Sequence, residues 1–180
     1  MNLHQAAPIA ITAFAAALLT ACQPAEAPEA REAREPGLEG AWSIVSIRVT
    51  GPDSSANTTV QPSVYLFGDT HYSMMRVTGN QPRTLAAADS VTDAEKLAAY
   101  DSFVANTGTY EVADSTITIH PIVARSPNFM SGGSDKYYFR VSGDTLWLSN
   151  TGADFRTMIG GQLVAPPRAS TTMLVLVRQK

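Results

Sequence analysis

Few side chains in this sequence are spaced for chemistry. Beyond residue 40 the imidazoles are His71 and His120, and neither belongs to a cluster with metal-ligand spacing. Serines are plentiful, but none sits in the glycine-flanked strand-to-helix elbow that exposes a nucleophile. Asp69, Asp114 and Asp144 fall in turns, where a carboxylate bonds the local backbone, so no pair of acids is marked for proton transfer. Gly132-Gly133 lacks both the Lys-Ser/Thr ending and the following helix of a phosphate cradle. No catalytic set, metal site or cofactor loop is therefore nominated. The polar groups left for an acid-base role are Glu111, His120 and Arg140, each inside a strand pattern.

Those strands carry the clearest signal in the chain. Tyr110-Glu111-Val112-Ala113-Asp114-Ser115-Thr116-Ile117-Thr118-Ile119 aligns without a gap on Phe139-Arg140-Val141-Ser142-Gly143-Asp144-Thr145-Leu146-Trp147-Leu148. Each copy alternates apolar and polar residues around a central polar turn, the pattern of a half-buried antiparallel hairpin. Tyr110, Val112, Ile117 and Ile119 are expected on one apolar face, with Phe139, Val141, Leu146 and Leu148 on its repeat. Glu111, Thr118, His120, Tyr138, Arg140 and Trp147 fall opposite.

Further strands are expected over Gly40 to Val49, ended by Thr50-Gly51-Pro52, and over Val64 to Phe67 and His71 to Val77 around a Gly68-Asp69 turn. A short one is expected near Phe155 to Ile159, and the apolar run Thr172 to Arg178 reads as a strand that closes a barrel against the first. One amphipathic helix is expected over Thr92 to Val104. Thr92 and Glu95 stand at capping-box spacing, and Leu97, Tyr100 and Val104 share a face that would lie on the strands. Pro121 to Ser134 reads as a long loop joining the two hairpin copies.

Ahead of this domain, Ile9 to Leu19 is an apolar run of leader length, short of the roughly 20 residues a spanning helix needs. It ends in Leu19-Thr20-Ala21-Cys22, which resembles the lipobox of bacterial lipoproteins, where the leader is cut before the cysteine and the thiol is acylated. That divides the chain into a signal peptide (1–21), a disordered Ala-, Pro- and Glu-rich linker (22–39) and a β domain (40–180). It implies a membrane partner reached through the lipid anchor, on the periplasmic face of a bacterial envelope. The net charge of -3 arises in the linker, and from Gly40 onward acids and bases balance. A nucleic-acid partner is therefore not expected.

With seven or eight strands, one helix and no βαβ alternation, the chain reads as mainly β, an antiparallel barrel that removes its own sheet edges. The order Gly40-Ala41-Trp42, Phe67-Gly68-Asp69-Thr70-His71-Tyr72, Thr107-Gly108-Thr109-Tyr110-Glu111-Val112, Ser126-Pro127-Asn128-Phe129 and a terminal Leu-Val-x-Val-Arg resembles the bacterial lipocalin-like domain family. The resemblance implies a structural contact between Arg178 on the last strand and Trp42 at the head of the first. It also implies a barrel interior able to take a small apolar ligand. Tyr65, Phe67, Met74, Tyr110 and Phe139 are the candidate lining, Phe129 and Met130 flank the entrance, and the helix at Leu97 to Val104 is the lid. Two alternatives stay open. One is a cyclase or isomerase folding a hydrophobic substrate; the other is an envelope interaction module whose barrel is filled with side chains.

Overall fold

A computed structural model describes residues 37–52, 54–83, 91–165 and 169–180. In chain order its elements are β1 (Gly40–Thr50), β2 (Ser55–Asn57), β3 (Ser63–Phe67), β4 (His71–Val77), α1 (Asp93–Asp101), β5 (Phe103–Ala113), β6 (Thr116–Ala124), α2 (Pro127–Met130), β7 (Ser134–Ser142), β8 (Thr145–Thr151), β9 (Phe155–Ile159), β10 (Gln162–Val164) and β11 (Thr171–Arg178). Eight strands, in the spatial order β1-β3-β4-β5-β6-β7-β8-β11, close into an antiparallel barrel when β11 returns to β1. Strand β2 pairs with β1 outside this ring, and the β9–β10 hairpin extends from the start of β7. The signal peptide, Cys22 and the linker as far as residue 36 lie outside the described residues. Gly37–Glu39, assigned to the linker by composition, instead packs on the domain: Leu38 is buried.

Period-two alternation set the strands. Ile117, Ile119, Leu146 and Leu148 of the doubled hairpin are completely buried, together with Leu176 of β11. Each such side chain contributes roughly 1.5–3 kcal/mol relative to exposure. Tyr110, Phe139 and Val141 are half-buried against this core, but Val112, beside the turn and paired with the buried Ile117, is 52% exposed. The two turns have matching geometry. Asp114 and Gly143, equivalent in the two copies, both hold a left-handed backbone with φ of 51° and 54°. Primed hairpin turns need that at their first central residue; glycine adopts it without strain and Asp tolerates it.

Two expectations change. The helix stops at Asp101, and Val104 enters β5, where it pairs with Arg76; strand pairing overrides the helical spacing. Leu97 is left 60% exposed, and α1 docks through Tyr100, whose ring lies under the Arg125 guanidinium at 4.5 Å and whose hydroxyl donates to the Arg125 carbonyl at 2.9 Å. The capping box itself is formed, with the Glu95 amide donating to Thr92 Oγ1 and the Thr92 amide to Glu95 Oε2. The expected loop at Pro121 to Ser134 is shorter, because β6 runs on through Pro121 to Ala124 over a bulge opposite Thr107 and Gly108. Gly108 permits this: a Cβ there would strike the His120 carbonyl and Pro121 Cα on the adjoining strand.

Candidate functional site

The barrel has two dissimilar ends. At one end lie the β3–β4, β5–β6 and β7–β8 turns, the start of β1 and the end of β11. Trp42 sits there fully buried, its indole N–H donating to the Leu38 carbonyl at 2.8 Å. The Arg178 guanidinium covers the ring at 4.1 Å from its centroid. Its Nη1 and Nη2 donate to the carbonyls of Glu39 and Gly37 at 2.6 and 2.8 Å, and Nε pairs with Asp144 at 3.6 Å. Phe67 and Tyr110 meet edge-to-face at 5.6 Å in the same region, with the Tyr110 hydroxyl donating to the Gly68 carbonyl at 2.5 Å. This end is filled.

The opposite end is hollow. A cavity of about 280 Å³ opens where β4, β5, β7, β8 and β11 meet α2 and β9. Of the residues expected to line a pocket, Tyr65, Met74 and Phe129 do so. Phe67 and Tyr110 belong to the filled end, and Phe139 packs against the core between. Met130, on the outer side of α2, is exposed. The expected lid is also absent from this wall, apart from Val104, which is now a strand residue; Leu97 and Tyr100 lie outside it. Phe129 owes its place to Gly133, whose position leaves no room for a Cβ beside the Phe129 ring, and to Phe155, stacked on that ring at 5.1 Å.

Much of the wall is polar, which the expectation of an apolar pocket did not anticipate. Asp135 on β7 is 6% exposed; both its oxygens accept from Asn150 Nδ2, at 3.0 and 3.1 Å, and it is hydrogen-bonded to Tyr137. Burial, with the nearby Asp135 charge, pushes the hydroxyl pKa of Tyr137 well up, and burial raises that of Tyr65. Arg76 on β4 acts on both tyrosines in the opposite sense, so a cation and an anion both act on the two hydroxyls. Asn106 on β5 has its Oδ1 buried without a partner among the described residues. Parity was the available signal: Tyr72, Met74 and Arg76 share one face of β4, as do Asp135, Tyr137 and Phe139 of β7. Asn106 and Asp135 also occupy equivalent places in the two hairpin copies.

Glu111, His120 and Arg140 are not part of this wall. Arg140 lies over the Trp147 ring at 3.7 Å, and Glu111 is exposed. Among the described residues, no three His, Cys, Asp or Glu side chains gather as a metal site.

Residues 39–161 match the family model of the lipocalin-like domain. The chain belongs to the lipocalin-like domain family. The matched stretch ends before β11, so the strand that closes this lipocalin-like barrel lies beyond it. Among solved structures, a lipocalin-like protein from Bacteroides uniformis ATCC 8492 aligns at 12% identity and a TM-score of 0.39, over 79% of this chain and 98% of that one. An uncharacterized protein from Bacteroides eggerthii DSM 20697 aligns at 11% identity and a TM-score of 0.40, over 79% of this chain and 100% of that one. No curated protein matches the chain.

Proposed function

We propose that this lipocalin-like domain binds a small, mainly hydrophobic molecule at the open end of its barrel without transforming it, and that acylated Cys22 holds it at a bacterial envelope membrane. The observation that carries the binding reading is the cavity itself. Its volume of about 280 Å³ is at the small end of ligand pockets, and Met74, Leu174 and Phe129 provide apolar wall beside a few fixed polar groups. An eight-stranded barrel has an interior that side chains can fill or that can hold one small ligand; here the two halves divide these outcomes. The leader-length run ending in Leu19-Thr20-Ala21-Cys22 supports the anchor.

The cyclase or isomerase reading draws on one observation, the buried Asp135–Tyr137–Asn150 cluster facing the cavity. Raised tyrosine pKa values argue against a tyrosinate base at neutral pH: Tyr65 and Tyr137 keep their protons and serve as hydrogen-bond donors. Mass spectrometry of the protein purified from its own host, first native and then of the denatured chain, tests both halves of the proposal. The expected result is a co-purifying small molecule, released unchanged on denaturation, on a chain that starts at diacylated or triacylated Cys22. Loss of the small molecule in Ala124→Trp, a substitution that adds bulk to the cavity wall, would place it there. An empty barrel, or a bound molecule converted on incubation, would refute the binding reading, and an unmodified Cys22 the anchor.

A further inference from the structure

We infer that the ligand of this cavity is a carboxylate amphiphile, a small organic acid with a hydrocarbon body, and that Arg76 receives its carboxylate; the inference rests on the ligand-binding reading above. Three ionic groups line the cavity, and their situations differ. Arg125 is committed to the ring and the carbonyl of Tyr100. Asp135 is held within the protein by Asn150 and Tyr137. Arg76 is half-buried and makes no hydrogen bond or ion pair among the described residues. A guanidinium presents five N–H donors in a planar fork matched to a carboxylate. Half-buried on the cavity wall, such a group has donors free to meet an anion that arrives with the ligand.

The surroundings fit an acid with an apolar body. Arg76 sits on the same face of β4 as Met74 and opposite Val104 of β5. It also borders a second cavity of about 190 Å³, where Ile44, Ile47 and Val60 share the wall with Ser55, Asn57 and Gln61. The cation thus stands between two recesses that each offer some apolar wall, Met74, Phe129 and Leu174 in the first and Ile44, Ile47 and Val60 in the second, to a chain bound at its head. Tyr65, protonated at neutral pH, supplies a further donor to the same head group, while the single hydroxyl proton of Tyr137 is engaged by Asp135. Asn106, diagonal to Arg76 across the β4–β5 pair, leaves its Oδ1 unpaired. An acceptor oxygen does not pair with a carboxylate, so Arg76 and Tyr65 are the groups placed to meet the head.

Calorimetric titration of the full chain with octanoate, 1-octanol and octylammonium, which share a hydrocarbon body, separates the head groups. Octanoate is expected to bind about tenfold more tightly than octanol, the scale of one charge-assisted pair. Arg76→Gln should erase that gap, bringing octanoate to the level of octanol, with an unchanged thermal melt reporting an intact fold. Arg76→Lys should keep part of it, since the charge survives without the fork; this variant and the wild-type ranking decide the matter if Arg76→Gln does not fold. Equal or tighter binding of octanol or octylammonium, or an octanoate preference that survives Arg76→Gln, overturns the carboxylate assignment and leaves ligand binding standing. If none of the three binds, both fall.

Discussion

At the end of the barrel that carries Trp42, three tight turns and the Gly37–Glu39 lead-in bring backbone and side chains together until no space is left. At the end that carries Arg76, the same strands run out into α1, α2 and the β9–β10 hairpin, and a cavity remains. The charged groups follow the same division. Arg178 uses its whole guanidinium on the protein: the Trp42 face, two carbonyls and Asp144. Arg76, on a neighbouring face of the same interior, uses none of its donors on a described residue. One arginine closes the fold, and the other stands on the cavity wall, where the proposed carboxylate would meet it. The difference teaches that burial of a cation reads as stability or as recognition according to who satisfies its hydrogen bonds.

The sharpest way to break this contrast is Trp42→Ala. Removing the buried indole takes away the packing of the filled end and leaves Arg178 without its aromatic partner, for an expected loss of about 3–5 kcal/mol in urea unfolding. Octanoate affinity of the fraction that stays folded should change little, because Trp42 lies outside the cavity wall. A loss of affinity as large as the loss of stability would mean that the two ends are one energetic unit.

Alkaline titration probes the interior between them. Tyr65, Tyr72 and Tyr137 have hydroxyl pKa values raised above the ordinary 10.0, chiefly by burial. The folded chain therefore keeps protons that the unfolded chain releases. Their contribution to stability is fully present below pH 10.0 and is lost as pH rises through the higher folded values. Tyrosinate absorbance of these three should appear together with the loss of β-sheet circular dichroism; ionisation within an intact barrel would contradict their burial. The smallest effect is expected from Thr92→Ala. It removes the capping box of α1 at a cost of about 1 kcal/mol or less. With no residue of α1 buried, the change should appear as faster amide exchange in Asp93–Asp101 while the barrel's melting temperature holds.

Much of the filled end could be read along the chain, since its determinants are local or periodic. Alternation in Ile117-Thr118-Ile119 and Leu146-Trp147-Leu148 names the buried positions, and the terminal apolar run finds its partner in β1. The capping box of α1 lies within four consecutive residues. The helix's end could not be read, because Leu97, Tyr100 and Val104 keep helical spacing while the pairing of Val104 with Arg76 depends on a strand far earlier in the chain. The cavity was harder still. Arg76, Asn106, Asp135 and Asn150 lie on four different strands, and each looks like an outward polar residue when read alone. Phe129 and Met130 look alike in sequence too, yet one turn of α2 sends the first against Phe155 and the second into solvent.

By itself, then, the amino-acid order determined the antiparallel strands, the hairpin turns between them and the helix start, because nearest neighbours and period-two spacing decide these. Only the tertiary structure decided which end stays hollow and which charges face the space. Depth along a barrel axis depends on eight strands arriving in register, and alternation records the face of a sheet without recording the height at which a side chain meets the others.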